Sequence, residues 1–146
     1  MEDRHSLGLP HREPFVFVDR VLAAAEGEAQ CLKVFSTKDP MFRGHFPGNP
    51  IVPGVILTEA LAQTAGIAGA WGTSDRCFLL SAIRNMKFTA AARPEERIIL
   101  NARKTGEMGG LWMFDVRAEV EGSVVAAGQI VLNEMKSAWN SRVDDS

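Results

Sequence analysis

The chain has 146 residues, a hydrophobic content of 46% and a formal net charge of -2. That length suits one domain, able to bury roughly two-thirds of the surface its unfolded chain would expose. The near-neutral charge argues against a nucleic-acid partner. Cys31 and Cys77 lack metal or redox spacing, so the expectation is reduced thiols in a cytoplasmic protein.

The opening Met1-Glu2-Asp3-Arg4-His5 has no apolar stretch and predicts no secretory signal. Residues 1–13 are polar, with 1–8 expected to be a peripheral tail. Residues 15–22, rich in Phe and Val, suit a strand. Glu26-Gly27-Glu28 reads as a turn, and 29–36 as the hairpin partner. Residues 37–52 form a loop with a short helical turn near 39–42. Pro47, Pro50 and Pro53 each fix their own φ and push the preceding residue out of the α region. Gly44, Gly48 and Gly54 keep the path sterically open. A loop both stiff and open suits the positioning of one side chain against a ligand, and His45 is that side chain.

Residues 53–71 predict a helix, with Pro53 well placed in its first turn. Val, Ile, Leu, Ala, Trp and Gly are interrupted only by Thr58, Glu59, Gln63 and Thr64, so the helix is apolar nearly all round and buried. Its interruptions and glycines argue against a membrane span. It carries one carboxylate, Glu59, with Gln63 one turn later on the same side. A carboxylate in an apolar setting is costly unless it is paired or takes up a proton, which is a reason to suspect function.

After Gly72 the period changes to two. Strands are expected at 77–89, 97–105, 111–121 and 124–133, with a bend at 90–96, a loop at 106–110, a Gly122-Ser123 turn and a polar tail at 134–146. The clearest alternation sets Trp112, Phe114, Val116, Ala118 and Val120 against Met113, Asp115, Arg117, Glu119 and Glu121. Two strands, one buried helix and four strands give an α+β domain with an antiparallel sheet wrapped around the helix. Its open edges and apolar outer surface favour pairing with a second copy.

Several of these segments are similar to a known family. Leu9-Pro10-His11-Arg12, Pro14-Phe15, Val18-Asp19-Arg20-Val21, residues 44–50, Pro53-Gly54-Val55, residues 59–63 and Met86-Lys87-Phe88 resemble the (3R)-hydroxyacyl-acyl-carrier-protein dehydratases of fatty-acid synthesis. The resemblance runs from about position 9 to 133. It implies a single hot-dog domain over 1–146, a homodimer with sites at the subunit interface, and assembly as a trimer of dimers in many members. It also implies that His45 and Glu59 are the catalytic pair, drawn from different subunits, with acyl carrier protein as partner and no cofactor or metal. Glutamate at 59 favours the simple dehydratase branch over the isomerising one. The chain departs from the family where a proline-glycine-aspartate turn reads Pro94-Glu95-Glu96, and it has no tyrosine.

Dehydration of a 3-hydroxyacyl thioester needs a base beside the carbonyl, an acid for the departing hydroxyl, and donors for the thioester oxygen. His45 suits the base, and Glu59 the acid if burial raises its pKa; a relay role for His45 stays open. Backbone N–H groups of Gly54 and Val55 at the helix start suit the oxygen. Phe46, Ile51, Val55, Ile83 and Phe88 are candidates for an acyl tunnel, or equally for core. Gln63 is read as support for the site. Arg43, Arg84, Lys87 and Arg93, with Arg97, Arg103 and Lys104, are candidate contacts for an acidic carrier protein. The competing functions are a hot-dog thioesterase, which would need no His45, and a catalytically silent acyl-binding subunit.

Overall fold

The alternation at 111–120 sets the fold. In the computed structural model, which describes residues 13, 15–44, 48–73 and 76–135, Trp112, Phe114, Val116, Ala118 and Val120 all point inward and are buried. They belong to the fifth of six strands: β1 (Arg20–Ala25), β2 (Glu28–Lys33), β3 (Cys77–Phe88), β4 (Ile98–Met108), β5 (Leu111–Val120) and β6 (Ser123–Met135). Every pairing is antiparallel, and the order across the sheet is β1-β2-β4-β5-β6-β3. Among the described residues one α-helix, α1 (Gly54–Ala70), packs against β2 through β6. An apolar helix of this length must be buried, and here the sheet covers it. The result is the hot-dog fold.

Ile98 and Leu100 of β4, Phe114 of β5, Ile130 of β6 and Leu61 of α1 are fully buried. Each such side chain contributes about 1.5–3 kcal/mol of burial. At the C-terminal end of α1 the packing is closest. A Cβ at Gly69 would lie 2.7 Å from Cζ of Phe78, so only glycine lets the helix approach β3 there.

The first strand begins later than its sequence suggests. Val16 and Val18 are buried, but Phe17 gives its N–H to the Gln63 side chain instead of a sheet neighbour. The expected 106–110 loop is also shorter. β4 and β5 run on to a two-residue turn, Gly109-Gly110, with φ of 57° and 85°. The β5–β6 turn is Glu121-Gly122, φ 51° and 78°, one residue before the expected Gly122-Ser123. Both hairpins need positive φ at both central positions, and the neighbouring pairs meet that need. Glu134 and Met135 lie in β6 and not in the tail. Residues 136–146 and 1–12 lie outside the described residues, and so do His11 and Trp139.

β1 and β3 form the two edges of the sheet. β3 pairs with β6 alone and carries Leu79, Leu80, Ile83 and Phe88, all 40–49% exposed. An edge with that much apolar surface invites a further strand.

Candidate active site

The site begins on α1. From Leu57 to Ala70 only Glu59 and Gly66 escape full burial. They are seven residues apart, two turns along one stripe. Val55, 77% exposed, continues the stripe to the helix start. The sheet covers the rest of the helix, so the stripe is the side that one chain leaves open. Burial holds the Glu59 carboxyl above the usual carboxylate range, because the apolar surroundings penalise its charged form.

The helix start supplies donors. Pro53 stands at the N-cap without a side-chain cap bond, and its carbonyl accepts from the N–H groups of Ile56 and Leu57. The N–H groups of Gly54 and Val55 precede the first intrahelical bond and lie at the positive end of the helix dipole. Phe88 walls this end, since a Cβ at Gly54 would be 3.1 Å from its ring. Val55 and Glu59 are one turn apart, about 6 Å along the axis. Backbone donors, a half-buried carboxyl and an aromatic wall therefore share one end of α1.

The other candidates divide. His45 and Phe46 lie outside the described residues. Ile51 is partly buried. Ile83 and Phe88, expected in a tunnel or in the core, are 48% and 49% exposed. Neither is enclosed by its own chain, because β3 is an edge strand. Gln63 is buried, and both ends of its amide are engaged with the segment before β1. Its Nε2 donates to the Phe15 carbonyl at 3.0 Å, and its Oε1 accepts from the Phe17 N–H at 2.9 Å. Any support it gives the site runs through that segment.

Arg43, Arg84 and Lys87 are exposed, as a docking role requires. Arg93 is engaged within the chain, where its Nη1 donates to Asn49 Oδ1. Arg103 pairs with Asp115 at 3.6 Å, and Lys104 with Glu107 at 2.6 Å. Lys104 also sits 3.6 Å above the Trp112 ring, beside Gly69 at the far end of α1. Those two cations are therefore removed from the Gly54 end.

A cavity of about 620 Å³ is lined by Ala23, Gln30, Asn101, Asp115 and Ala127, and one of about 470 Å³ by Arg76, Lys104 and Trp112; Glu59 lines neither. Cys31 is buried against Thr64, and burial pushes its thiol up to about 11, so it is inert. Among the described residues no cluster of three His, Cys, Asp or Glu could hold a metal ion, and no helix is long and apolar enough to cross a membrane.

The fold is that of a hot-dog protein, with a half-buried carboxyl, Glu59, on its α-helix. Residues 9–129 match the family profile of the FabA-like domain. The chain is 37% identical over 128 residues to the 3-hydroxyacyl-[acyl-carrier-protein] dehydratase FabZ of Geobacter metallireducens, covering 84% of this chain and 85% of that one. Against FabZ of Thermotoga maritima it is 39% identical over 128 residues, covering 88% and 93%. Among solved structures, the dehydratase heterocomplex ApeI:P of Xenorhabdus doucetiae is similar with a TM-score of 0.80 at 15% identity over the whole of both chains, a likeness of fold. The chain belongs to the FabA-like domain family.

Proposed function

We propose that this chain is a hydro-lyase that removes water from (3R)-3-hydroxyacyl-acyl-carrier-protein to give the trans-2-enoyl thioester, in fatty-acid or related lipid synthesis. The observation that carries the reading is Glu59, a carboxyl whose burial favours the protonated form, one turn from unpaired helix-start N–H groups. The curated dehydratase relatives, similar over most of the chain, support the same chemistry.

In this reading the thioester oxygen rests against the N–H groups of Gly54 and Val55. That contact stabilises the enolate-like charge formed when the C2 proton leaves. His45, on its stiff loop, takes that proton. Glu59 gives a proton to the C3 hydroxyl, which departs as water. Acid–base work of this kind contributes about 10²–10⁴-fold. Product release leaves Glu59 ionised and His45 protonated, and a proton exchange between them or with water resets the site.

The working unit is a homodimer. The exposed β3 edge and the open Val55–Glu59 stripe support that reading, since both are surface that one chain leaves uncovered. The partner would also enclose Ile83 and Phe88, turning an exposed face into an acyl channel. Arg43, Arg84 and Lys87 are the contacts assigned to the acidic carrier protein. The two free cysteines suit the cytoplasm.

The test is product analysis with purified protein and 3-hydroxyacyl carriers of several chain lengths. Water loss to an enoyl thioester, abolished in His45→Ala and Glu59→Gln, is expected. Release of a free acid would identify a thioesterase. Binding without turnover would identify a silent subunit.

A further inference from the structure

The segment that carries His45 runs from the end of β2 to the start of α1. Its two limbs, 36–44 before the histidine and 48–52 after it, are held by one short turn, residues 92–96. On the first limb, Glu95 donates its N–H to the Phe35 carbonyl at 2.7 Å. Its carboxylate Oε1 accepts from both the N–H and the hydroxyl of Thr37, at 2.8 and 3.0 Å. On the second limb, Arg93 Nη1 donates to Asn49 Oδ1, and the Ala92 carbonyl accepts the Val52 N–H at 2.8 Å. The turn is braced internally by the Arg93 N–H donating to Glu96 Oε1 at 2.6 Å.

Glu95 has a φ of 70°, a left-handed conformation that glycine adopts without strain and a residue with a Cβ does not. A glutamate at positive φ also stands in the β5–β6 turn, at Glu121, so what sets Glu95 apart is its side chain, which spans to Thr37.

We infer that the 92–96 turn is a clasp that fixes the loop bearing His45, with Glu95 and Arg93 as positioning residues for the proposed dehydration and not contacts of the carrier protein. The inference rests on the reading of His45 as catalytic, and it assigns Arg93 differently from its sequence neighbours among the basic candidates. One side chain secures the chain ahead of the histidine, the other secures it behind.

The test compares Glu95→Gly, Glu95→Gln and Arg93→Ala with the wild type. Three readouts are taken: thermal midpoint, amide hydrogen exchange over 36–52, and kcat and KM with a hydroxyacyl group on the carrier protein and on a short thioester mimic. Glu95→Gly removes both Thr37 bonds and relieves the backbone strain. It is expected to keep or raise the thermal midpoint, speed exchange at 37 and 38, and lower kcat about 10- to 100-fold on both substrates with KM little changed. Glu95→Gln, which keeps an acceptor, should lie between the two. Arg93→Ala should speed exchange near 49 and lower kcat on both substrates.

Unchanged exchange and kcat in Glu95→Gly would overturn the inference. So would an Arg93→Ala defect confined to KM for the carrier-protein substrate. A wild type that dehydrates neither substrate would overturn the proposed function instead, and the exchange data would still decide whether the clasp exists.

Discussion

The two ends of α1 contrast. At its C-terminal end the helix is packed closely, although the C-cap Trp71 is half exposed. Gly69 lies against Phe78, whose ring meets Trp112 edge-on at 5.1 Å. Lys104 and Arg76 cover the Trp112 ring at 3.6 and 4.9 Å, and Arg76 also donates to the Gly69 carbonyl at 3.1 Å. At the N-terminal end Val55 and Phe88 are exposed, Glu59 is half-buried, and the helix N–H groups have no cap. One end is finished by its own chain and serves stability. The other is left open by one chain, and it carries the Glu59 carboxyl and the helix-start N–H groups.

The largest test of this contrast is Glu59→Gln. Turnover should fall by about 10²–10⁴. Stability should move the other way. Burial raises the Glu59 pKa, so the folded chain holds this proton more tightly than the unfolded chain does. The stabilisation from that proton is complete below the ordinary glutamate value and is lost as pH rises through the raised one. At neutral pH the glutamine variant should therefore melt no lower than the wild type, and its thermal midpoint should lose the wild type's decline across that window. Calorimetry across pH, beside the activity assay, reads both effects. A variant both inactive and clearly less stable would mean that Glu59 is a structural partner.

Next in size is Leu80→Asp on the β3 edge. Sedimentation should give the single-chain mass of 15.9 kDa in place of the wild type's double or higher multiple, and turnover should be lost with assembly. An unchanged mass would place the interface elsewhere.

At the closed end the effects should be on stability alone. Gly69→Ala drives a methyl into the Phe78 ring and should cost about 1–3 kcal/mol in denaturant unfolding, with kcat of the folded protein unchanged. Lys104→Met, which removes a cation from the Trp112 face, should cost about 0.5–1 kcal/mol, again with kcat unchanged. A kcat defect in either variant would break the division between the two ends.

Much of this division is legible in the sequence, for physical reasons. The apolar run with one carboxylate reads as a buried helix because nothing on it could face water, and α1 spans Gly54–Ala70 as that requires. The inward set of β5 follows from strict alternation. Turn positions are less legible. Gly109-Gly110 is only the end of the expected 106–110 loop and Glu121-Gly122 falls one residue before the expected pair, since register depends on which neighbouring pair holds positive φ. The openness of Ile83 and Phe88 is not written in their hydrophobicity; it follows from β3 standing at the sheet edge, a fact of topology. Arg93 looks like any other surface cation until Asn49, 44 positions away, is seen against it. The signal for Glu95 was present as a glutamate where a glycine is expected, but its partner, Thr37, could be found only in space.

The central claim is that the acid on α1 works with an imidazole from another copy of the chain. Co-expressing His45→Ala with Glu59→Gln tests it directly. Each variant alone should be inactive. Random pairing should restore about a quarter of wild-type turnover, because half the dimers are mixed and each mixed dimer has one intact site. No recovery in verified mixed dimers would put both residues of a site on one chain and contradict the account.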